Sequence, residues 1–225
     1  MLPYYVIGVD PGQAADPTAV AIVEYQYERH ARTTYRVTGL HRFRLGTPYT
    51  DLVDPFRDRL EQKPLRRRTN LAVDATGVGT PFIDLLRDEL GPNRIYAVTI
   101  TSGATVTGTN GNPHVPKRDL IGITSVILEQ RRLRIAENMR DTGALIDELL
   151  AFRRTTTERG NDTYSAASGS HDDLVLALSL ALWTAEHRSP PPRMYASRPQ
   201  LPSDRFIPTA DDYIRAGLSR LYNWG

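Results

Sequence analysis

Asp10, Asp74, Asp172 and Asp173 stand where apolar runs meet polar ones, and this placement is the chemistry-bearing feature of the chain. Asp10 closes the run Tyr4-Tyr5-Val6-Ile7-Gly8-Val9, and Asp74 closes Leu71-Ala72-Val73. Asp172 and Asp173 open the stretch Leu174-Val175-Leu176-Ala177-Leu178. Carboxylates at the ends of two buried strands and the start of a buried helix can converge, and converging carboxylates repel unless a cation compensates them. The pattern points to a divalent-metal site and to metal-dependent phosphoryl transfer. Each acid also has a structural reading. Asp10-Pro11-Gly12 is a good turn sequence, and Asp74 before Ala75-Thr76-Gly77 suits an Asx-turn. Ser170-His171-Asp172-Asp173 forms a capping box, with Ser170 as N-cap and Asp173 at the third helical position. A single order of elements accounts for all of these acids as one site, which separate turns and caps do not.

The elements that must position them follow an α/β order. Residues 4–10, 18–25 and 33–44 are β-prone runs with short links, the pattern of an antiparallel meander. Residues 49–61 read as a helix through Leu52, Val53, Phe56 and Leu60. The strand ending at Asp74 comes next, then a helix over 81–90 with Pro81 in its first turn, then a strand over 94–100. The Gly-, Thr-, Asn- and Pro-rich stretch 101–116 predicts a loop or extended hairpin, and loops of that length are often functional. Leu120, Ile121, Thr124, Ile127 and Leu128 mark one side of a helix over 117–131, followed by a short strand at 133–135. A helix over 140–153 carries Leu145, Ile146, Leu149, Leu150 and Phe152. Gly160-Asn161-Asp162 suits a hairpin turn within 154–166, and the last helix is expected over 171–187. No internal repeat is visible.

Length and composition bound the possibilities. At 225 residues the chain accommodates one full domain with a core and a short appendage. The domain is expected over 1–187. A Pro-rich C-terminal tail is expected over 188–225, extended and loosely packed, with a short amphipathic helix through Tyr213, Ile214, Leu218, Leu221 and Tyr222. There is no cysteine, which excludes a disulfide framework, a thiolate zinc site and a cysteine nucleophile. No stretch approaches a membrane span, and Met1-Leu2-Pro3 runs straight into a strand pattern, so neither membrane association nor a signal peptide is expected. A net charge of +2 is too small to imply nucleic-acid binding by itself, but Lys63 and Lys117 are the only lysines in the basic set. Arginine's planar fork suits phosphate contacts.

The ordered set of elements and acids resembles the ribonuclease H-like fold, an α/β mixed sheet of three antiparallel strands followed by parallel strands, flanked by helices. Finer matches narrow the resemblance to the nuclease domain of phage large terminase subunits, over roughly residues 4–187. They are Gly8-Val9-Asp10-Pro11 with Asp16-Pro17-Thr18-Ala19, Val73-Asp74-Ala75-Thr76-Gly77-Val78-Gly79, Pro116-Lys117-Arg118-Asp119-Leu120-Ile121, and His171-Asp172-Asp173-Leu174 with Ala177-Leu178. The resemblance implies an endonuclease that cuts concatemeric double-stranded viral DNA during genome packaging, with two Mg²⁺ or Mn²⁺ ions roughly 3.5–4 Å apart. Hard cations take oxygen ligands, which suits aspartates without cysteine or a histidine cluster. On this reading Asp10 bridges the ions, Asp74 ligates one, and Asp173 with Asp172 serve the other as ligands or supporting groups. His171 would steer water or the leaving group, or simply begin its helix. Lys117 would contact phosphate or remain solvated at a helix start. Gly77 and Gly79 would let the backbone approach DNA, or simply make the turn. The implied partners are a portal, a small terminase subunit and an ATPase motor domain, in the host cell cytoplasm as a phage or prophage protein. No G-x-x-x-x-G-K-[ST] phosphate loop occurs, so the chain is expected to be the nuclease domain alone and not to translocate DNA by itself.

Three basic clusters offer a DNA face: Arg66-Arg67-Arg68, Arg131-Arg132 with Arg134, and Arg153-Arg154. No base-reading module is evident, so binding should be dominated by phosphate contacts. Other readings share parts of the pattern. A Holliday-junction resolvase or transposase has the same fold and metals. A sugar-kinase or actin-like ATPase also begins with a strand ending in Asp, but needs more chain and further glycine loops. A DNA-tethering or portal-docking module would carry the acids as structural groups.

Overall fold

The first strand, β1 (Tyr4–Asp10), is buried along nearly its whole length, which requires a sheet covered on both sides. The computed structural model describes residues 3–12, 16–26, 32–77, 79–158 and 172–187. β1 runs antiparallel to β2 (Ala19–Tyr25), and β2 runs antiparallel to β3 (Tyr35–Arg42), completing the meander. On its other side β1 pairs in parallel with β4 (Thr69–Asp74), which pairs in parallel with β5 (Ile95–Thr101). The Gly/Thr-rich stretch forms the expected hairpin. β6 (Thr107–Gly108) and β7 (Pro113–Pro116) are antiparallel, and β7 continues the sheet beside β5. β8 (Leu133–Ile135) closes the opposite edge in parallel with β3. The order across the eight strands is β6-β7-β5-β4-β1-β2-β3-β8.

Side-chain alternation along β1 assigns the layers. Tyr5, Ile7 and Val9 pack with Leu52, Phe56 and Leu60 of α1 (Tyr49–Glu61) and Phe82, Ile83 and Leu86 of α2 (Gly79–Leu90). Tyr4 and Val6 face the other layer. It is built from α3 (Lys117–Glu129), α4 (Thr142–Glu158) and α5 (Asp173–His187). Helix α5 is buried around its whole circumference from Asp173 to Ala185. It lies directly on β1, where Gly8 makes the approach possible: a Cβ there would stand 1.8 Å from the Ala177 carbonyl oxygen.

Two helices depart from the sequence expectation. α5 begins at Asp173, and the Leu176 amide donates to the Asp172 carbonyl at 2.9 Å, so the N-cap position falls on Asp172 and not on Ser170. Aspartate is itself a preferred N-cap, which moves the start inward. α4 continues through Arg153 and Arg154 to Glu158, so these arginines close a helix and do not open a hairpin. Its buried face also differs. Leu145 and Glu148 turn inward, whereas Ile146 and Leu150 are exposed. The Gly160-Asn161-Asp162 turn, Ser170, His171 and the tail 188–225 with its expected helix lie outside the described residues. Among the described residues, no helix is long and apolar enough to cross a membrane.

Candidate active site

Strand parity puts the strand-borne acids on one side of the sheet. Asp10 shares its face of β1 with Val6 and Gly8, and Asp74 shares its face of β4 with Ala72, so both carboxylates project from strand ends toward the α5 layer. Register then brings in a residue the sequence reading did not single out. Asp10 pairs with Ala19 of β2, and Ala19 pairs with Arg42 at the end of β3. The N-terminus of α5 supplies Asp172 and Asp173 over the same sheet edge, and that of α3 supplies Lys117.

Burial pushes the Asp10 carboxyl well above the usual carboxylate range, and the charges of Asp74, Asp172 and Asp173 push it further, while Lys117 pulls it back. Asp74 is also raised, chiefly by burial, against the Thr76 amide that donates to its Oδ1 at 2.7 Å. That hydrogen bond is the Asx-turn read from the sequence, so at Asp74 the turn and the site coexist. Gly79 closes this turn against the Asp74 carbonyl, where a Cβ would stand 1.9 Å away. Its small size serves the turn itself. Burial, and then the Asp10 charge, raise the Tyr49 phenol at the start of α1, and its buried hydroxyl has no hydrogen-bond partner among the described residues.

The two helix-borne acids are held by different cations. Lys117 Nζ donates to Asp172 Oδ2 at 2.9 Å. Arg42 Nε donates to both Asp173 oxygens at 3.1 Å. Arg42 Nη2 also bonds Glu148, a second residue absent from the sequence reading, and Glu148 Oε2 accepts the Val175 amide at 3.0 Å. Burial pushes the Glu148 carboxyl up to about 8, and the nearby Asp173 charge adds to this; the Val175 amide and Arg42 oppose it. Both residues carried a signal. Arg42 ends the third strand of a meander whose first strand ends in Asp10, and Glu148 is an acid three residues from Leu145 on a helix face that turns inward.

Among the described residues, no three His, Cys, Asp or Glu side chains are grouped closely enough to hold a metal ion as they are arranged. Asp172 and Asp173 are turned onto Lys117 and Arg42 instead. In donor chemistry and charge the site still fits a divalent cation. Its five carboxyl groups offer hard oxygen donors and face two cations, Lys117 and Arg42.

Two of the arginine clusters sit at the other end of the sheet. Arg66, Arg67 and Arg68 precede Thr69, which pairs beside Tyr5 at the opposite end of the sheet. Arg131 and Arg132 precede Leu133, which pairs with Tyr35 at that same end. At about 3.3 Å per residue, the strands separate these positions from the acids by roughly 17–20 Å. Arg66 pairs with Glu61, Arg68 donates to the Pro3 carbonyl, and Arg67 is exposed. Arg132 is tied to Glu186 at 2.6 Å and to the Thr33 carbonyl, with its guanidinium over the Tyr35 ring. Arg153 and Arg154 lie in the last turns of α4, and His171 lies outside the described residues.

A family model described as the terminase RNase H-like domain matches residues 7–184, a span that contains all four aspartates and Lys117. The chain belongs to the terminase RNase H-like domain family. This terminase domain is similar in fold to the large terminase nuclease of the thermophilic phage G20c, with 20% identity, 83% of each chain covered and a TM-score of 0.54. The Mn-soaked human cytomegalovirus terminase nuclease domain matches at 16% identity and a TM-score of 0.46, covering 80% of this chain and 84% of the other. Thermus thermophilus RuvC matches at 14% identity and a TM-score of 0.31, covering 84% of this chain and 99% of the other. No curated protein sequence matches. Family and fold together support a nuclease.

Proposed function

We propose that this terminase-family domain is a divalent-cation-dependent endonuclease that hydrolyses phosphodiester bonds of double-stranded DNA, acting on viral concatemers during genome packaging. The observation that carries the reading is the convergence of Asp74, Asp172 and Asp173 on the buried Asp10 at one end of an RNase H-like sheet. Asp10, on which the charges of the other three acids bear, would be the ligand shared between the cations. Asp74 would hold one of two Mg²⁺ or Mn²⁺ ions, and Asp172 with Asp173 the other. Bound there, the cations would activate the attacking water and stabilise the leaving 3′-oxygen.

The chain's own groups prepare that chemistry. Partial burial of Asp10 and Asp74 disfavours their charged forms in the absence of a cation, so a bound cation would be favoured there. Lys117 neutralises Asp172 until an incoming anion competes for its ammonium, and a phosphate diester is such an anion. Duplex DNA lying across this end of the sheet meets Lys117 and Arg118, which begin α3, before it can reach Arg66, Arg67 and Arg68. Portal, small terminase subunit and ATPase motor domain are the partners this role would require, in the cytoplasm of a phage-infected or lysogenic host.

A plasmid-nicking assay tests the reading. Cleavage is expected with Mg²⁺ or Mn²⁺ and not with EDTA, and Asp10→Asn or Asp74→Asn should remove most of it, because neutral amides ligate these cations poorly. Near-wild-type cleavage by Asp74→Asn would sink the assignment. Linear duplexes and four-way junctions in the same assay separate a packaging nuclease from a junction resolvase.

A further inference from the structure

We propose that Glu148 is a positioning residue of the acid site, acting through Arg42 and the first turn of α5 to fix where Asp172 and Asp173 stand. The inference rests on the metal-dependent reading given above. Glu148 is buried, and each of its oxygens has a separate task. One takes Arg42, whose Nε grips both oxygens of Asp173 at 3.1 Å; the other takes the Val175 amide at 3.0 Å, two residues beyond Asp173. A single side chain on α4 therefore ties the end of β3 to the start of α5. The neighbouring amide of Leu174 donates to Asp173 Oδ1 at 2.9 Å, so the Asp173 carboxylate is held from its own helix as well.

The sharing of Arg42 adds to the tether. Arg42 bonds both Asp173 and Glu148, so only part of its hydrogen-bonding capacity is spent on Asp173. With no acceptor at Glu148, Arg42 would turn wholly onto Asp173 and compete with any cation that needs that carboxylate. Loss of the tether and loss of the shared guanidinium thus act in the same direction. Groups that hold metal-ligating side chains in place change metal affinity by about 10- to 100-fold when removed.

The test uses the intact chain with Mn²⁺ as the probe. Glu148→Gln should raise the Mn²⁺ Kd by about 10- to 100-fold in calorimetric titration and speed hydrogen exchange at the Leu174 and Val175 amides. Glu148→Asp retains both acceptor oxygens with a shorter reach and should fall between Gln and wild type. It also keeps the test decisive where Gln fails to fold. Glu186→Gln is the structural control. It breaks the Arg132 pair at the far end of the sheet, so it should lower Tm while leaving Mn²⁺ affinity and α5 exchange unchanged. Wild-type Mn²⁺ affinity and wild-type exchange at Leu174 and Val175 in the Glu148 variants would overturn the proposal. A wild-type protein that binds no Mn²⁺ would instead defeat the metal reading, and the exchange rates would then decide alone whether the clamp holds the helix start.

Discussion

Gly8→Ala is the smallest change that should dismantle the site without touching an acid. Its Cβ would sit 1.8 Å from the Ala177 carbonyl oxygen and 2.9 Å from the Ala181 nitrogen, both of them backbone atoms of α5. A carbon–oxygen contact tolerates about 3.3 Å, so α5 would have to retreat from β1 by roughly 1.5 Å. No rotamer can relieve the clash, because neither partner is a side chain. Overpacking of this kind costs about 1–3 kcal/mol, and for a domain of this size each kcal/mol lowers Tm by about 2–4 °C. The functional loss should exceed the stability loss. Asp172 and Asp173 ride on the N-terminus of α5, and a displacement near 1 Å in a catalytic constellation can cost about 100-fold in rate. Differential scanning fluorimetry and plasmid nicking, run on the same samples, measure the two effects. Gly122→Ala on α3 is the matched control, because a Cβ there meets nothing within 4 Å; it should hold or raise Tm. A Gly8→Ala protein that melts and cleaves like wild type would refute the claim that direct helix-on-strand contact assembles the acids.

The remaining expectations concern charge. Asp10, Asp74 and Glu148 all have folded-state pKa values above their ordinary ones, so the native protein binds more protons than the unfolded chain, and its stability falls as pH rises. For Glu148 the window runs from its ordinary 4.5 to about 8. In EDTA, Tm should therefore drop from pH 5 to pH 8.5, and Asp10→Asn should flatten the drop; a rise in Tm over that range would contradict the assignment. Mn²⁺ at about 100 times its Kd should stabilise the wild type by about 2.7 kcal/mol and shift Tm by about 5–11 °C, with a smaller response in Asp10→Asn. An unchanged wild-type Tm on adding Mn²⁺ would count against a site in the folded state. Neutralising Lys117 and Arg118 should reduce the log–log salt slope of DNA binding by about 0.9 for each phosphate that the protein no longer neutralises. Neutralising Arg66, Arg67 and Arg68 should reduce it less on a short duplex, and the reverse ranking would move the DNA face to the other end of the sheet.

Much of this was legible in the sequence for a physical reason. β1 and β4 are buried strands, so their apolar runs end abruptly, and Asp10 and Asp74 are conspicuous at those ends. The meander was readable because three β-prone runs with short links have few other ways to pair. What escaped depends on partners distant in sequence. Arg42 matters only through a register that passes from Asp10 across Ala19, and nothing in its own neighbourhood declares that. Glu148 was hidden by counting apolar residues on α4. Ile146 and Leu150 drew the expected face toward themselves, yet the helix turns Leu145 and a paired carboxylate inward. The arginine clusters were conspicuous as composition, but composition does not say at which end of a strand a residue falls. The start of α5 falls at Asp173, with the Asp172 carbonyl accepting the first helical hydrogen bond.

The burial of α5 bears on the order of events during synthesis. Arg42 and Asp173 are 131 residues apart in the chain, and at about 5–20 residues per second a ribosome needs roughly 7–26 s to travel between them. Throughout that interval β1, β2 and β3 can pair while the face meant for α5 stays uncovered, and the Asp10 carboxylate has neither its helix-borne neighbours nor a complete cation cage. On the proposed reading, the acid site stays incomplete while the chain is being made. α5, the last helix among the described residues, would then be the arming step, and a chain released before it would leave the apolar β-sheet face bare, a ready substrate for chaperones and proteases.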